Sequence, residues 1–264
     1  TDGDHYRTRM THSLEVAQIA RSISKYLNLN DDLAETLSLA HDLGHTPFGH
    51  AGEEVLNDCM SNHGGFDHNL QTLRIVMFIE KKYIDFDGLN LSFETLDGLI
   101  KHNGPIKNLS NLENIIGIKS LKNKFKLNKF SCLESQISNI ADDIAYNNHD
   151  IQDGLKAGLF TLDELLEINF FKDIHKKYKN KKNIELQVLI HQIIRDSIDL
   201  MVKDIINNTI QNIKKNKIKK INNVFDNKQK TVEFSDKLKD IDDDIRNFLR
   251  RNMYDHKYVQ KRNN

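Results

Sequence analysis

The sequence predicts an all-α protein, and three observations favour that class. Apolar residues recur at helical spacing over long stretches, most clearly from Thr11 to about Leu27 and from Ile184 to Ile213. Only 2 Pro and 12 Gly interrupt the 264 residues, which suits long helices. With 38% hydrophobic and 29% charged residues, the composition is typical of a helix-rich protein with a sizeable core and solvated outer faces.

The first two predicted helices carry the first candidate site residues. Thr11 is the expected cap of the first helix, so His12 lies in its first turn, where a ligand can project past the helix end. Residues 30–32, Asn-Asp-Asp, are a good N-terminal signature for the second helix, which we expect to stop at Gly44. His41 would then lie in the last turn of that helix.

The rest of the chain predicts further helices joined by polar segments. Residues 106–130 and 214–230 are rich in Lys and Asn and predict a loop and a charged connector. We expect one helical domain over 1–264, with a metal and catalytic core in 1–160 and a C-terminal helical part in 161–264. The remaining helices are predicted over about 50–62, 66–82, 91–101, 131–150, 184–213 and 238–249.

Charge and cysteine usage narrow the class of protein. Lys plus Arg and Asp plus Glu both number 38, so the net charge is zero and no global basic field points to nucleic acid. Cys59 and Cys132 form no CxxC pair, which indicates a reduced compartment rather than a disulfide scaffold. The sequence shows no signal peptide and no apolar run near the roughly 18 residues of a membrane span. We therefore expect a cytoplasmic protein without a membrane partner.

The stretch 39–53, LAHDLGHTPFGHAGE, holds three His, an Asp and a Glu around a Gly/Pro turn. Titratable groups are costly to bury unless they are paired or bind a metal, so this density indicates a site. His41 and Asp42 supply the mixed nitrogen and oxygen ligands that suit a divalent metal. His12, together with a carboxylate from the segment 140–146, IADDIAY, would complete a set of four. Taken singly, each of these residues can equally cap or bridge helices.

The order His, His-Asp and a distant Asp resembles the HD-domain superfamily of metal-dependent phosphohydrolases. Five longer strings, in the family's order between Gly3 and about Phe160, are similar to the bacterial deoxynucleotide triphosphohydrolase family typified by dGTPase. The resemblance implies an HD-type helical bundle around a single metal site. The strings are RTRMTHSLEVAQIA, AHDLGHTPFGHAGE, FDHNLQTLRIV, LIKHNGP and ADDIAYNNHDIQDGL. The implied ligands of a divalent metal ion (Mn, Mg or Fe) are His12, His41, Asp42 and Asp142.

The resemblance also implies roles for residues around the metal. His50 and Glu53, spaced i, i+3, are implied in catalysis, with Glu53 accepting from one imidazole nitrogen so that the other handles a proton. An ordinary helix-surface pair is the alternative for these two residues. His68 is implied as a further active-site histidine. The implied phosphate-binding residues are Arg9, His45 and Lys101.

A stripe on the helix predicted over 131–150 is implied in sugar recognition. Asp142, Tyr146 and Asp150 are spaced four apart, so each is rotated by about 40° from the last. On the family's pattern Tyr146 packs on the sugar and Asp150 accepts from its 3′-hydroxyl, whereas a core aromatic is the alternative for Tyr146. Asp143 points about 100° away from Asp142 and suits an outer-shell or helix-surface role.

The resemblance implies hydrolysis of a deoxynucleoside triphosphate, dGTP first, to the deoxynucleoside and inorganic triphosphate by a homo-oligomer. The chain begins just inside the family's first string and is expected to lack the family's N-terminal base-pocket segment and C-terminal end. Three alternatives stay open. They are another HD phosphohydrolase acting on cyclic nucleotides or (p)ppGpp, a weak nucleic-acid binder using the Lys/Asn-rich stretches 119–129 and 214–220, and a non-catalytic regulatory subunit.

Overall fold

The structure, a computed structural model, describes residues 8–106, 125–181 and 183–255, apart from the side chain of His50. Within those ranges the chain is helical, and extended backbone pairs only in an isolated bridge. The predicted all-α class is confirmed. Among the described helices, none is long and apolar enough to cross a membrane.

The described residues form a series of helices. They are α1 (Arg9–Tyr26), α2 (Asp31–Ala40), α3 (Gly49–Cys59), α4 (His68–Arg74), α5 (Phe93–Ile100), α6 (Leu133–Lys156), α7 (Leu162–Leu165), α8 (Asn169–Lys176), α9 (Leu186–Lys215), α10 (Ile221–Phe225) and α11 (Asp236–Leu249). A 3-10 turn at Ser61–His63 follows α3, and π-helical turns at Ile75–Ile79 and Arg250–Tyr254 follow α4 and α11.

The described residues divide into two compact units. The first unit comprises residues 8–12, 143–210 and 233–255, and the second comprises 13–106, 125–142 and 211–232. The single domain expected over 1–264, with its division at residue 160, stays a prediction.

The start of α1 differs from the prediction, because Thr8 rather than Thr11 is its cap. The Thr11 N–H donates to Thr8 Oγ1 at 3.2 Å, and the Thr8 N–H donates to Thr11 Oγ1 at 3.0 Å. This reciprocal pair satisfies two backbone donors at the helix start. The His12 N–H then donates a helical hydrogen bond to Thr8 O at 3.0 Å, so His12 stays close to the helix start.

The end of α2 also differs, because the helix stops at Ala40 and residues 41–44 form a turn. A side chain of α4 binds this turn: the Gly44 N–H donates to Thr72 Oγ1 at 2.9 Å. Glycine is required at position 44, since a Cβ there would lie 2.0 Å from a backbone oxygen of α4. The His-Asp pair therefore lies beyond the helix, in a turn fixed against α4.

A core in the second unit holds α5 against α2 and the first half of α6. A Cβ on Gly98 would lie 2.6 Å from a Leu37 methyl group and 3.3 Å from Ser135 Cβ, so the helices approach closely there. Ser135 Oγ also donates to Gly98 O at 3.1 Å. The buried apolar residues of this core are Leu37, Ala40, Leu70, Leu73, Val76, Leu99, Ile100, Phe125 and Leu127.

The first unit contains two short helices, α7 and α8, that apolar periodicity does not indicate. A capping box opens α7, in which the Thr161 N–H donates to Glu164 Oε2 at 2.7 Å. The preceding Phe160 packs edge to face on Phe248, with ring centroids 4.9 Å apart. The 24-residue α6, whose last part from Asp143 belongs to this unit, extends past the predicted end at residue 150 to Lys156.

The polar segments were predicted less well than the long helices. The connector expected over 214–230 contains the short helix α10. Most of the loop expected over 106–130 falls outside the described residues, as does most of the stretch 119–129. Helix α4 begins two residues later than the predicted helix over 66–82, because Asp67 accepts from the Leu70 N–H at 2.9 Å and caps it there. Its α-helical part ends at Arg74, where the π-helical turn Ile75–Ile79 follows.

Candidate metal centre and catalytic site

His41 is a buried histidine of the second unit whose ring orientation is fixed within its own turn. Its side chain is 2% exposed, and its Nδ1 lies 2.6 Å from Ser38 O. A carbonyl oxygen only accepts, so Nδ1 carries a proton and Nε2 is the nitrogen that faces the neighbouring carboxylates. Ser38 Oγ donates to Ser138 Oγ at 3.0 Å, which joins this turn of α2 to α6.

Two carboxylates face Nε2 of His41. Asp42 Oδ1 lies 3.2 Å from that nitrogen, and Asp142 Oδ1 lies 3.5 Å from it. Burial by itself disfavours the charged imidazole, but the two carboxylates outweigh burial and raise the pKa of His41 to about 9. The centre therefore favours positive charge between its carboxylates, and a divalent cation can supply that charge in place of a proton.

His102, to which the sequence reasoning assigned no role, joins the same group from the end of α5. Its Nε2 lies 3.6 Å from Asp142 Oδ2, and its ring centroid lies 5.0 Å from that of His41. Burial lowers the pKa of His102 despite the nearby carboxylate. One candidate ligand atom from each of His41, His102 and Asp142 lies within 4.8 Å of the other two. In the sequence, only the string LIKHNGP pointed to His102 as a site residue. Apolar periodicity does not define the direction of a side chain that lies beyond a helix end.

A second group lies beside the first in the same unit. His45 Nε2 lies 3.3 Å from Asp42 Oδ1, and the His45 ring stacks on His68 with centroids 4.1 Å apart. His68 Nδ1 in turn lies 2.8 Å and 3.0 Å from the two carboxylate oxygens of Glu53. Three of the sequence-predicted residues thus come together around Asp42.

Glu53 is held by His68 through two different groups. The backbone N–H of His68 donates to Glu53 Oε1 at 2.9 Å, in addition to the contact from the ring. Burial favours the neutral carboxyl, but the hydrogen bonds from His68 outweigh it and lower the pKa of Glu53. Because the charged carboxylate can only accept, it keeps a proton on His68 Nδ1. The pair expected between Glu53 and His50 falls on a side chain outside the described part of the chain.

In the first unit, Asp150 and Tyr254 form a half-buried pair. Tyr254 Oη donates a hydrogen bond to Asp150 Oδ2. Burial raises the pKa of Asp150 to about 6, although the bond from Tyr254 opposes that change. Tyr146 is 47% exposed, so it is not a core aromatic, and its ring centroid lies 6.3 Å from that of His12.

The neighbouring carboxylates Asp142 and Asp143 have different partners. Asp142 faces the two histidines of the second unit, whereas Asp143 belongs to the first unit and pairs with Arg246 at 3.0 Å. Arg246 Nε also donates to Asp242 Oδ2 at 2.8 Å. Asp143 thus anchors α11 in its own unit, and the choice of Asp142 for the metal stays a prediction.

Comparison with known proteins identifies the family. The family model described as HD domain matches residues 9–189. A protein of Pelagibacter ubique (strain HTCC1062), named deoxyguanosinetriphosphate triphosphohydrolase-like protein, is 64% identical over 265 residues, which cover 100% of this chain and 71% of the relative. The chain belongs to the HD-domain family, among its deoxyguanosinetriphosphate triphosphohydrolase-like proteins.

Two further relatives of this HD domain carry the same name. The protein of Bartonella quintana (strain Toulouse) is 45% identical, and the match covers 100% of this chain and 67% of the relative. The protein of Rickettsia typhi (strain ATCC VR-144 / Wilmington) is 42% identical, over 96% of this chain and 66% of the relative. The chain therefore spans about two thirds of the length of these two relatives.

The remaining sequence-predicted residues of the HD domain differ in their surroundings. Arg9 is exposed at the first residue of α1. Lys101 is 2% exposed, and its Nζ lies 2.6 Å from Asp97 Oδ1, so its charge is engaged within the protein. His12 lies in the first unit, and its place in the metal ligand set stays a prediction. The same holds for the phosphate-binding roles of Arg9, Lys101 and His45.

Proposed function

We propose that this HD domain hydrolyses deoxynucleoside triphosphates, with dGTP as the first candidate. A water molecule attacks the α-phosphorus, the bond from that phosphorus to the 5′-oxygen breaks, and inorganic triphosphate leaves intact. The released 5′-oxygen takes up a proton to give the deoxynucleoside. The printed names of the relatives support this reaction, because each is called a deoxyguanosinetriphosphate triphosphohydrolase-like protein.

The observation that carries the proposal is the arrangement around Asp42 in the second unit. One oxygen of Asp42 lies 3.2 Å from His41 Nε2 and 3.3 Å from His45 Nε2. His45 stacks on His68, which is hydrogen-bonded to Glu53. Candidate metal ligands and a candidate proton-transfer pair are therefore in continuous contact, an arrangement that supports metal-assisted hydrolysis with proton transfer.

The donor set of His41, Asp42 and Asp142 fits a divalent metal ion such as Mn, Mg or Fe. Imidazole nitrogen and carboxylate oxygen are the ligands such ions accept, and the two carboxylates need a compensating positive charge. The family resemblance adds His12 as a fourth ligand. When bound, the ion supplies a water of lowered pKa and offsets the charge of the α-phosphate.

His68 and Glu53 are the residues we propose for proton transfer. Glu53 keeps a proton on His68 Nδ1 at 2.8 Å, so the ring exchanges its other proton through Nε2. The 5′-oxygen needs such a proton as its bond to phosphorus breaks, because an unprotonated alkoxide is a poor leaving group. His50 stays a candidate for the same step, and Arg9, His45 and Lys101 stay candidates for the phosphates.

Asp150 is the residue we propose for the sugar. Its carboxylate has one oxygen occupied by Tyr254, and its other oxygen can accept from a 3′-hydroxyl. Tyr146, four residues earlier on α6, would pack against the sugar ring. Sequence reasoning did not assign Tyr254, which comes from the π-helical turn after α11.

Product analysis in isotopically labelled water tests the proposal. Metal-loaded protein incubated with dGTP in H₂¹⁸O should release deoxyguanosine and triphosphate, with the label in the triphosphate. Label in the 5′-hydroxyl would indicate attack at carbon, and dGMP or dGDP would indicate a different phosphohydrolase. The His41→Ala variant is the control for contaminating phosphatases.

A steep loss of binding to DNA or RNA with rising salt, without hydrolysis, would favour the nucleic-acid alternative.

We further propose a cytoplasmic homo-oligomer in which any contact with nucleic acid is weak. Support for these proposals comes from the family resemblance, the zero net charge and the two cysteines without a CxxC pair. Size measurement with and without dNTP tests the oligomer.

A further inference from the structure

His102 is a buried histidine placed beside the metal centre by tight packing of α5. The side chain is 6% exposed, and it lies two residues beyond the end of the helix. Its backbone N–H donates to Leu99 O at 3.3 Å, and Leu99 belongs to the apolar core. The buried ion pair of Lys101 with Asp97 fixes the residue just before it. The position of the ring is therefore set by the fold rather than by a surface loop.

The route from α5 to Asp142 is short. Gly98 lies against α6, where Ser135 donates to its carbonyl oxygen at 3.1 Å. Asp142 lies seven residues after Ser135, about two helical turns along the same face of α6. His102 lies four residues after Gly98. The end of α5 and this part of α6 therefore stay close from the Gly98–Ser135 contact to the metal centre, where His102 meets Asp142.

The distances within the group suit neighbouring ligands of one ion. His102 Nε2 lies 3.6 Å from Asp142 Oδ2, and His41 Nε2 lies 3.5 Å from Asp142 Oδ1. Two ligands held at about 2.0–2.2 Å from one ion are separated by roughly 3–3.6 Å when adjacent. One candidate ligand atom from each of the three side chains therefore lies within 4.8 Å of the other two, as a shared ion requires.

We infer that His102 is a further ligand of the divalent metal bound by His41, Asp42 and Asp142. Imidazole nitrogen is a favourable ligand for such ions, and the buried His102 presents its nitrogen to the same carboxylate that faces His41. The inference deepens the proposed function, because it concerns the same metal centre. It does not depend on which phosphate ester that centre hydrolyses.

Metal binding measured directly tests the inference. Titration of the apoprotein with Mn²⁺ should give a dissociation constant at least about 100-fold higher for His102→Ala than for the parent, a loss at the upper end of what an outer-shell residue produces. Pulsed EPR of the Mn²⁺-loaded proteins should show one directly bound imidazole nitrogen fewer in the variant. His63→Ala is the matched control, since His63 is an exposed histidine of the same unit. It should change neither the affinity nor the imidazole count.

His102→Gln separates ligation from mere orientation of Asp142. A glutamine amide can still hydrogen-bond to the carboxylate but supplies no imidazole, so it should not restore the count or the affinity. Recovery to within about threefold of the parent affinity, or an unchanged imidazole count, would overturn the inference. His102→Asn takes the place of the alanine variant if circular dichroism shows that the latter does not fold. A parent that binds Mn²⁺ but releases no triphosphate would refute the proposed reaction and leave this ligand assignment standing.

Discussion

Glu53 accepts two hydrogen bonds from one residue, His68, whose ring Nδ1 lies 2.8 Å and whose backbone nitrogen lies 2.9 Å from the same oxygen. The carboxylate therefore fixes the ring and the start of α4 together. In acid–base sites a carboxylate that holds one imidazole nitrogen leaves the other to exchange a proton. The His45 ring stacks on the His68 ring with centroids 4.1 Å apart, which restricts the His68 ring further.

We predict that both members of this pair are needed for turnover. His68→Ala or Glu53→Gln should lower kcat by about 10²-fold or more, because a positioned proton-transfer group is lost, while metal content stays unchanged. Steady-state kinetics with dGTP and metal analysis of the purified variants check this. His63→Ala, the exposed control, should keep parent activity. Parent-like turnover by Glu53→Gln would show that Glu53 and His68 only stabilise the start of α4.

We also predict a sharp difference between two adjacent carboxylates. Asp142→Ala should abolish stoichiometric Mn²⁺ binding, because Asp142 faces His41 and His102 at 3.5 Å and 3.6 Å. Asp143→Ala should keep most of the binding and lose up to about 1 kcal/mol of stability, the scale of a partly exposed ion pair with Arg246. Isothermal titration and urea unfolding of both variants check this. Equal losses of metal would contradict the assignment.

The sequence was most informative where chemistry is concentrated in adjacent residues. His41, Asp42 and Asp142 were chosen together as candidate ligands, because a His-Asp pair and a distant Asp are typical of a metal site, and the structure brings the three side chains together. The long helices were predicted because their apolar periodicity repeats many times. Local signals of this kind do not require knowledge of distant contacts.

The features that sequence could not supply are contacts between distant segments. Thr72, from α4, ends α2 early by binding the Gly44 N–H, and no local pattern in α2 indicates this. Glu53 and His68 are 15 residues apart, so their hydrogen bond depends on how α3 and α4 meet. His102 and Tyr254 reach their sites from a helix end and a π-helical turn, whose side-chain directions periodicity does not define.

We predict that the two thiols differ in reactivity. Cys132 is 5% exposed, and burial together with the Glu134 carboxylate raises its pKa to about 12, whereas Cys59 is exposed. A thiol reagent at pH 8 should therefore modify one thiol quickly and the second only after unfolding. Cys59→Ser should remove the fast phase. Rapid modification of Cys132 in that variant, while circular dichroism shows a folded protein, would contradict the prediction.

Asp150 should make the protein less stable as the pH rises from about 4 to about 6. Its pKa rises from 3.8 to about 6 on folding, chiefly through burial, so the folded state binds the proton more tightly than the unfolded state. The stabilisation from Asp150 is fully present below its pKa in the unfolded state and is lost as the pH rises through its pKa in the folded state. The free energy lost is on the order of 2–3 kcal/mol.

The Asp150→Asn variant measures that loss. The parent should lose the Asp150 contribution to its free energy of unfolding between pH 4 and pH 7. The variant should not lose it, because the amide carries no charge at either pH. Tyr254→Phe removes the hydrogen bond that lowers the pKa of Asp150, so it should steepen the pH dependence instead. Urea unfolding at the two pH values gives both results. A parent and Asp150→Asn variant with parallel pH profiles would show that the carboxyl is solvated.

The last prediction concerns the sugar and rests on the bond from Tyr254 to Asp150. With one carboxylate oxygen occupied, the other is the acceptor we propose for the 3′-hydroxyl of the substrate. A 2′,3′-dideoxynucleotide would leave that buried acceptor unpaired, which costs about 1–3 kcal/mol, or about ten- to two-hundredfold in kcat/KM. Ribonucleotides should also be poor substrates, because Tyr146 packed against C2′ leaves little room for a hydroxyl.

Measurement of kcat/KM for dGTP, ddGTP and GTP, with the parent and with Asp150→Ala, checks both points. The variant should lose the preference of dGTP over ddGTP, and a parent that turns over all three nucleotides equally would show that Asp150 and Tyr146 do not read the sugar.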